Sequence, residues 1–153
     1  MAGPTDLSAL VGTWEGTGSG TYPTIAPFGY VETATFAAVP GKPFLAYEQR
    51  TRAADDGRPL HRETGYLRPG PDGAVEWVLA QPTGHAELST GTFDGTVLDV
   101  ATTAVILSPS ALEVSRLHRR YVLDGDVLRY ELDMAAVGQP LQRHLVAELH
   151  RQA

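Results

Sequence analysis

The 153-residue sequence contains no cysteine. This absence excludes disulfide bonds, thiolate metal sites, iron–sulfur clusters and c-type haem attachment. Long hydrophobic runs are also missing, and the apolar stretches that occur are too short to span a bilayer. The N-terminal segment, residues 1–6, lacks the basic and apolar regions of a secretory signal peptide. We therefore expect a soluble, cytoplasmic protein with no membrane partner.

Positive charge is scarce as well. Twelve Lys and Arg residues are outnumbered by 18 Asp and Glu residues, which gives a net charge of −6. Such a chain is not built to bind the phosphate backbone of nucleic acid or an anionic membrane. Its length suits one domain, residues 1–153, large enough for a sizeable core or a closed barrel around a ligand.

Familiar catalytic signatures are absent too. The five histidines form neither HxH nor HExxH spacing, and the sequence has no GxSxG or GxxxxGK[ST] motif. The carboxylates Glu63 and Glu87 stand in alternating segments beside polar neighbours, so we expect them on solvated strand faces. A lone histidine in a strand is usually structural. The residues by themselves therefore assign no catalytic centre.

The most unusual stretch that is present is rich in glycine. In a strand, alternate residues share one face, so Gly12, Trp14, Gly16, Gly18 and Gly20 line the same side. Four of the five lack a side chain, which leaves bare backbone against which something bulky can lie. A sharp bend at a barrel corner would also require glycine there. Both interpretations remain open from the residues.

The rest of the chain predicts an all-β fold. About ten short strands are separated by turns at intervals of roughly 8–12 residues, which favours an antiparallel barrel or a sandwich. Residues 6–10 predict one helical turn with Thr5 or Asp6 as its N-cap. Two prolines stiffen residues 22–28, which therefore cannot form a central strand. Beyond the glycine-rich strand we predict strands at 30–39, 44–52, 60–68, 74–80, 85–92, 96–103, 112–123, 127–136 and 141–150.

The closing segment, residues 141–150, is ambiguous because its leucines recur at every fourth position, as in a helix. We predict a strand, since a closed barrel needs its last strand to pair with its first. If that strand is regular, Leu141, Leu145 and Leu149 share the apolar face and His144 points to the other side. A bulge after Pro140, or a leucine face packed on the cap, would reconcile an inward His144 with this pattern.

The sequence resembles the nitrobindins over nearly its whole length. A G-x-W-x-G-x-G opening alone is a weak signal, because other small ligand-binding barrels begin in a similar way. Joined to YPTI and PLQxHL, and in the same order, it is specific. The matching segments are residues 12–18 (GTWEGTG), 22–25 (YPTI), 41–43 (GKP), 60–69 (LHRETGYLRP) and 139–145 (QPLQRHL).

This resemblance implies a ten-stranded antiparallel barrel, similar to fatty-acid-binding proteins, that holds ferric haem b at one end. It assigns the proximal iron ligand to His144, a haem contact to Thr24 and a position near the distal side to His61. Met134 and Leu60 match apolar positions that line the pocket. At Leu112, where family members carry a lysine, the resemblance departs, so Arg116 or another basic side chain is expected to contact the propionates.

The implied activity is isomerisation of peroxynitrite to nitrate together with reversible binding of NO. With Leu60, Met134 and a glycine wall, the pocket is expected to offer few hydrogen-bond donors, which disfavours O₂ carriage and tolerates NO. Two other functions stay open: an intracellular carrier of a lipophilic molecule, and a haem or NO sensor that acts through a partner. A homodimer is compatible with each of them.

Overall fold

Ten antiparallel strands form a closed barrel in the computed structural model, which describes residues 3–153 and leaves Met1 and Ala2 of the N-terminal segment outside. Each strand pairs with its neighbours in sequence, and β1 pairs with β10 to close the sheet. The predicted all-β, ten-stranded barrel is thereby confirmed. The strands are β1 Gly12–Tyr22, β2 Ile25–Ala38, β3 Leu45–Ala53, β4 Pro59–Pro69, β5 Val75–Ala80, β6 His85–Phe93, β7 Val97–Leu107, β8 Val114–Asp124, β9 Val127–Ala136 and β10 Gln142–Arg151.

A short 3₁₀ turn, Ser8–Leu10, precedes β1 and lies within the predicted helical turn. Its N-cap is Leu7 rather than Thr5 or Asp6, and the Asp6 side chain instead accepts a hydrogen bond from the Ser8 N–H at 2.9 Å. A second 3₁₀ turn, Pro71–Gly73, links β4 to β5. No helix within residues 3–153 is long and apolar enough to cross a membrane.

One end of the barrel is closed by the N-terminal turn. Leu7, Leu10 and Trp14 are buried there, and the indole Nε1 of Trp14 donates to the Leu10 carbonyl at 3.0 Å. The Arg151 guanidinium covers the outer side of the indole, 4.2 Å from the ring centroid. Apolar and aromatic side chains fill the barrel behind this cap, including Phe36, Tyr47, Leu67, Val75, Trp77, Leu98 and Leu128.

The glycine-rich face of β1 points into the barrel, where other parts of the chain cover it. A Cβ on Gly16 would overlap the Glu148 carbonyl of β10, so glycine permits the close approach of the two strands there. The ring of Tyr30 lies against Gly18, and the ring of Phe28 lies against Gly20. The bulky groups on the bare backbone are therefore aromatic side chains of β2.

Most of the proline segment belongs to the first part of β2, which pairs with a neighbouring strand on one side only. β2 begins at Ile25 and contains Pro27, whereas its pairing with β3 begins at Tyr30. Residues 25–29 therefore pair with β1 alone, and Pro27 interrupts no ladder on the other side. The expectation that this segment is not a central strand holds, while the expected start of β2 at residue 30 was too late.

Candidate functional site

A cavity of about 430 Å³ opens at the barrel end opposite the capped one. Its volume lies in the range of small-molecule sites, about 300–1,000 Å³. The cavity is reached at the ends of β1, β3, β5, β7 and β9, where the connecting loops surround its mouth. Apolar side chains form much of its wall, namely Ile25, Leu117, Leu132, Met134, Ala136, Val137 and Leu145.

His144 faces this cavity because β10 carries a bulge. In the pairing with β9, Arg143 lies opposite Asp133 and Leu145 lies opposite Leu132, so His144 is the extra residue between two consecutive pairs. A bulge lets neighbouring residues turn to the same face, and both His144 and Leu145 line the cavity. The bulge, one of the two arrangements considered from the sequence, therefore resolves the conflict between the leucine pattern and an inward histidine.

A backbone hydrogen bond fixes the tautomer of the His144 ring. Its Nδ1 lies 3.0 Å from the carbonyl oxygen of Thr21, and since a carbonyl can only accept, the proton is on Nδ1. The lone pair of the neutral ring is then on Nε2. Burial lowers the pKa of His144 below its usual 6.5, although the hydrogen bond to Thr21 acts in the opposite direction. Tyr22 and Phe28 pack edge-on to the ring at centroid distances of 5.3 and 6.4 Å.

The structure brings three of the other four predicted site residues to the same cavity. The cavity is lined by His144 together with Thr24 from the β1–β2 loop, His61 from β4 and Met134 from β9. Leu60 is placed elsewhere: it precedes His61 on β4, points to the outer face and is 39% exposed. The family resemblance assigned it to the pocket, but Leu60 is the extra residue of a bulge in β4, between His61 opposite Thr51 and Pro59 opposite Arg52.

The predicted propionate contact is also displaced. Leu112 lies at the mouth and is 77% exposed, so the position where family members carry a lysine does border the cavity. Arg116 is exposed next to a bulge in β8 and does not line the cavity. The guanidinium that does line it is Arg119, deep in the barrel.

Below the apolar wall, a buried ion cluster corrects an expectation from the sequence. Glu63 and Glu87 are 5% and 2% exposed and do not lie on solvated faces. Arg119 binds Glu63 through two hydrogen bonds of 2.9 and 3.0 Å and also contacts Glu87. Tyr47 donates to Glu63 at 2.9 Å, and Gln81 donates to Glu87 at 3.0 Å. A guanidinium shared by two carboxylates satisfies charges that could not otherwise be buried.

The two carboxylates of this cluster differ in proton affinity. Burial acts to raise the pKa of Glu63, but Arg119 and His61 outweigh it and hold that pKa well below its usual range. Burial raises the pKa of Glu87, and Arg119 offsets this only in part. Glu63 is therefore the ionised partner of Arg119. His61 lies at the cavity wall with its Nε2 3.7 Å from Glu63 Oε2.

A second buried carboxylate cluster lies beside the first. Tyr130 lines the cavity and donates a 2.5 Å hydrogen bond to Glu32 Oε1, while its hydroxyl is 2.7 Å from that of Tyr30. Glu32 is 1% exposed, and no salt bridge to it occurs in the described part of the chain. Burial raises the pKa of Glu32 to about 7. Sequence reasoning missed this group, although Glu32 alternates with the buried residues Tyr30 and Ala34 on β2.

The cavity is more polar than the sequence suggested. Gln49, Gln81, His85 and Arg119 line it beside His61, and Gln49 Oε1, His85 Nε2 and Arg119 Nε are buried without a partner in the described chain. The lining is nonetheless mostly apolar, and Gln49 Oε1 is an acceptor, so the expectation of few hydrogen-bond donors stays a prediction. The arrangement offers a neutral imidazole on one wall, apolar contact area for a large flat ligand, and polar groups for a small ligand further in.

Comparison with known proteins points in one direction. Residues 4–151 match the family model described as a THAP4-like, heme-binding beta-barrel domain. The chain is 55% identical over 150 residues to a protein named peroxynitrite isomerase 1 from Mycolicibacterium paratuberculosis, covering 95% of this chain and 92% of that protein. The same identity, over 153 residues, relates it to peroxynitrite isomerase 1 of Mycobacterium tuberculosis H37Rv, covering 95% and 93%. The crystal structure of Rv2717c from M. tuberculosis superposes with a TM-score of 0.89 at 53% identity, covering 96% of this chain and 95% of that one.

Proposed function

The chain belongs to the nitrobindin family of THAP4-like, haem-binding β-barrel domains, and on that premise we propose that it is a haem-dependent peroxynitrite isomerase. The proposal assigns it ferric haem b as cofactor, conversion of peroxynitrite to nitrate as its reaction and reversible NO binding as a second property. Relatives named peroxynitrite isomerase at 55% identity support the activity.

One observation in this chain carries the proposal: His144 lines the cavity, and the hydrogen bond of its Nδ1 to the Thr21 carbonyl leaves the ring's lone pair on Nε2. Metal-binding histidines usually donate their second ring N–H to a carbonyl or carboxylate, which fixes the tautomer and the ring orientation. The Thr21 carbonyl does this for Nδ1, so Nε2 is the ligand atom. Tyr22 and Phe28 limit the tilt of the ring from two sides. We assign His144 as the proximal ligand and the apolar wall, including Met134, as the contact for the porphyrin.

When bound, haem iron would supply a Lewis acid that polarises the peroxynitrite anion. The chain's own residues then bind, orient and shield. We propose that Thr24 contacts the porphyrin at the mouth and that His61 faces the small ligand. Glu63, kept ionised by Arg119, lies 3.7 Å from His61 Nε2 at the cavity wall. Leu60 points outward, so we assign it no contact with the cofactor.

The polar cavity floor disfavours the alternative of a fatty-acid carrier. A bound carboxylate would require a free cation, but Arg119 is already held by Glu63 and Glu87. Glu32 adds a third acidic group nearby. Mass spectrometry of ligands extracted from the purified protein tests this point, and stoichiometric fatty acid would overturn our preference.

The remaining details of the proposal concern context. We propose that residues 1–153 act as one domain, since β1 and β10 both border the same cavity. We also propose that this domain is cytoplasmic. A homodimer is supported by a row of apolar side chains across the outer face of β4, β5 and β6, where Tyr66 pairs with Val78 and Val78 with Leu88. All three are exposed, and such patches often mark protein contacts. Sedimentation analysis of Val78→Arg against the wild type tests the dimer.

The decisive experiment on function is a haem titration followed by absorption spectroscopy. We expect His144→Ala to weaken binding and shift the Soret band, and to reduce the yield of nitrate from peroxynitrite. His150→Ala is the matched control, because His150 is on the same strand but exposed outside the cavity. An unchanged spectrum in His144→Ala would remove the ligand assignment.

A further inference from the structure

We propose that Tyr130 is a redox-active tyrosine, with Glu32 as its proton acceptor, that reduces nitrogen dioxide radicals in the cavity to nitrite. This inference rests on the proposed function only for the source of the radical, since nitrogen dioxide is released when the O–O bond of peroxynitrite breaks homolytically. The reaction itself needs only the side chains described above.

The first argument concerns where Tyr130 lies. Its ring lines the cavity, so a small neutral radical can meet it without crossing packed protein. Two aromatic side chains, Tyr30 and Phe28, connect Tyr130 to the proposed iron ligand His144. The hydroxyls of Tyr30 and Tyr130 are 2.7 Å apart. The ring centroid of Phe28 lies 6.0 Å from that of Tyr30 and 6.4 Å from that of His144. Phe28 and Tyr30 therefore form a short row of aromatic groups from His144 to Tyr130.

The second argument concerns the proton. Oxidation of a phenol makes its O–H strongly acidic, so a buried tyrosine can be oxidised readily only if a base accepts the proton. Tyr130 donates a 2.5 Å hydrogen bond to a carboxylate, which is such a base. The balanced step is Tyr–OH + NO₂• + Glu–COO⁻ → Tyr–O• + NO₂⁻ + Glu–COOH. Tyr130 loses one electron, nitrogen dioxide gains it, and the proton ends on Glu32.

The third argument is an internal comparison between two Tyr–Glu pairs. Tyr47 is equally buried and donates to Glu63 at 2.9 Å. Arg119 binds both oxygens of Glu63, so that carboxylate is stabilised as an anion and is a poor proton acceptor. Glu32 has no such guanidinium partner among the described residues, and its affinity for a proton is raised. The tyrosine that lines the cavity, Tyr130, is therefore also the one that is paired with the stronger base.

The experiment is run at pH 8, above the pKa of about 7 of Glu32, so that its carboxylate is ionised and can accept the proton. Nitrogen dioxide is generated by pulse radiolysis of nitrite solutions containing the full-length protein, with and without haem. Tyr66 is exposed and would react first, so every variant carries Tyr66→Phe. The radical is followed by its transient absorption and, after freeze-quenching, by electron paramagnetic resonance. We expect a long-lived tyrosyl signal in Tyr66→Phe and loss of most of that signal when Tyr130→Phe or Glu32→Gln is added. Adding Tyr47→Phe is the matched control and should leave the signal intact.

A second readout fixes the site of the radical. A tyrosyl radical couples with further nitrogen dioxide to give nitrotyrosine, which peptide mass spectrometry locates. We expect nitration at Tyr130 and not at Tyr47, in folded samples verified by thermal melting. An equal radical yield in Glu32→Gln, or nitration confined to other tyrosines, would overturn the inference. Because radiolysis supplies the radical to haem-free protein too, a failure of the isomerase assignment would not affect this result.

Discussion

Replacing Glu32 by Gln should stabilise the protein at alkaline pH and leave it nearly unchanged at pH 5. Burial raises the pKa of Glu32 from an ordinary value of 4.5 to about 7. Between these values the native state holds a proton that the unfolded chain has lost, so the stability contributed by this group falls as pH rises. A difference of about 1.4 kcal/mol for each unit of pKa gives about 3 kcal/mol in total.

Most of this loss falls between pH 5 and pH 8, and Gln cannot titrate. The free energy of unfolding of Glu32→Gln should therefore exceed that of the wild type by a margin that grows by about 2–3 kcal/mol across this interval. The amide keeps an oxygen that can accept the Tyr130 hydroxyl. Its N–H₂ group has Gln49 Oε1 as an available buried acceptor.

Urea unfolding followed by tryptophan fluorescence measures the effect, because Trp14 and Trp77 are both fully buried. With a slope of about 1–3 kcal/mol per molar urea, the midpoint of Glu32→Gln should move ahead of the wild type by about 1–2 M at pH 8. Glu48→Gln, on the outer face of β3, controls for the loss of one negative charge. A stability difference that stays constant from pH 5 to pH 8 would refute the reasoning.

Three further predictions concern the barrel and the site. Gly16→Ala should cost about 4 kcal/mol in urea unfolding because its Cβ would overlap the Glu148 carbonyl. Gly29→Ala, whose Cβ would meet Ala54 at 3.4 Å as its nearest neighbour, should cost much less, and similar losses for the two variants would contradict this. Arg119→Met should cost about 3–5 kcal/mol by leaving two buried carboxylates without a cation, and added Glu63→Gln and Glu87→Gln should recover much of it. Haem binding, read from the Soret band, should persist as pH falls through 6.5 and fail only below it, because burial lowers the pKa of His144; a midpoint above 6.5 would count against the assignment.

The strands could be predicted because their signal is local. Alternation and turn residues are read within a few positions, so nine of the ten strand starts were placed within two residues. The bulge at His144 depends on which residues of β9 lie opposite, and pairing across strands is not written in β10 alone. The conflict between Leu145 and His144 could be recognised from the sequence. The sequence could not decide that a bulge resolves it.

The buried carboxylates escaped prediction for a different reason. On β4 the inward positions are His61, Glu63, Gly65 and Leu67, so neither face is clearly apolar. A usable signal was present on β8, where Arg119 stands between Leu117 and Tyr121 with period two, which places a guanidinium inside the barrel. A buried cation requires buried anions, and the search for them would have led to inward glutamates on neighbouring strands.

The contrast between Glu63 and Glu32 is the feature that gives the cavity chemistry beyond cofactor binding. Arg119 fixes Glu63 as an anion, and this anion lies 3.7 Å from His61 Nε2 at the cavity wall. Glu32 has no salt-bridge partner among the described residues, so its charged state is costly, and in the proposed step it accepts the proton of Tyr130 when that tyrosine is oxidised. The same residue type therefore has different proton affinities in one barrel, because Arg119 binds Glu63 directly and acts on Glu32 only through space. We expect that displacing the Arg119 guanidinium, without altering either glutamate, would change the roles of Glu63 and Glu32 at once.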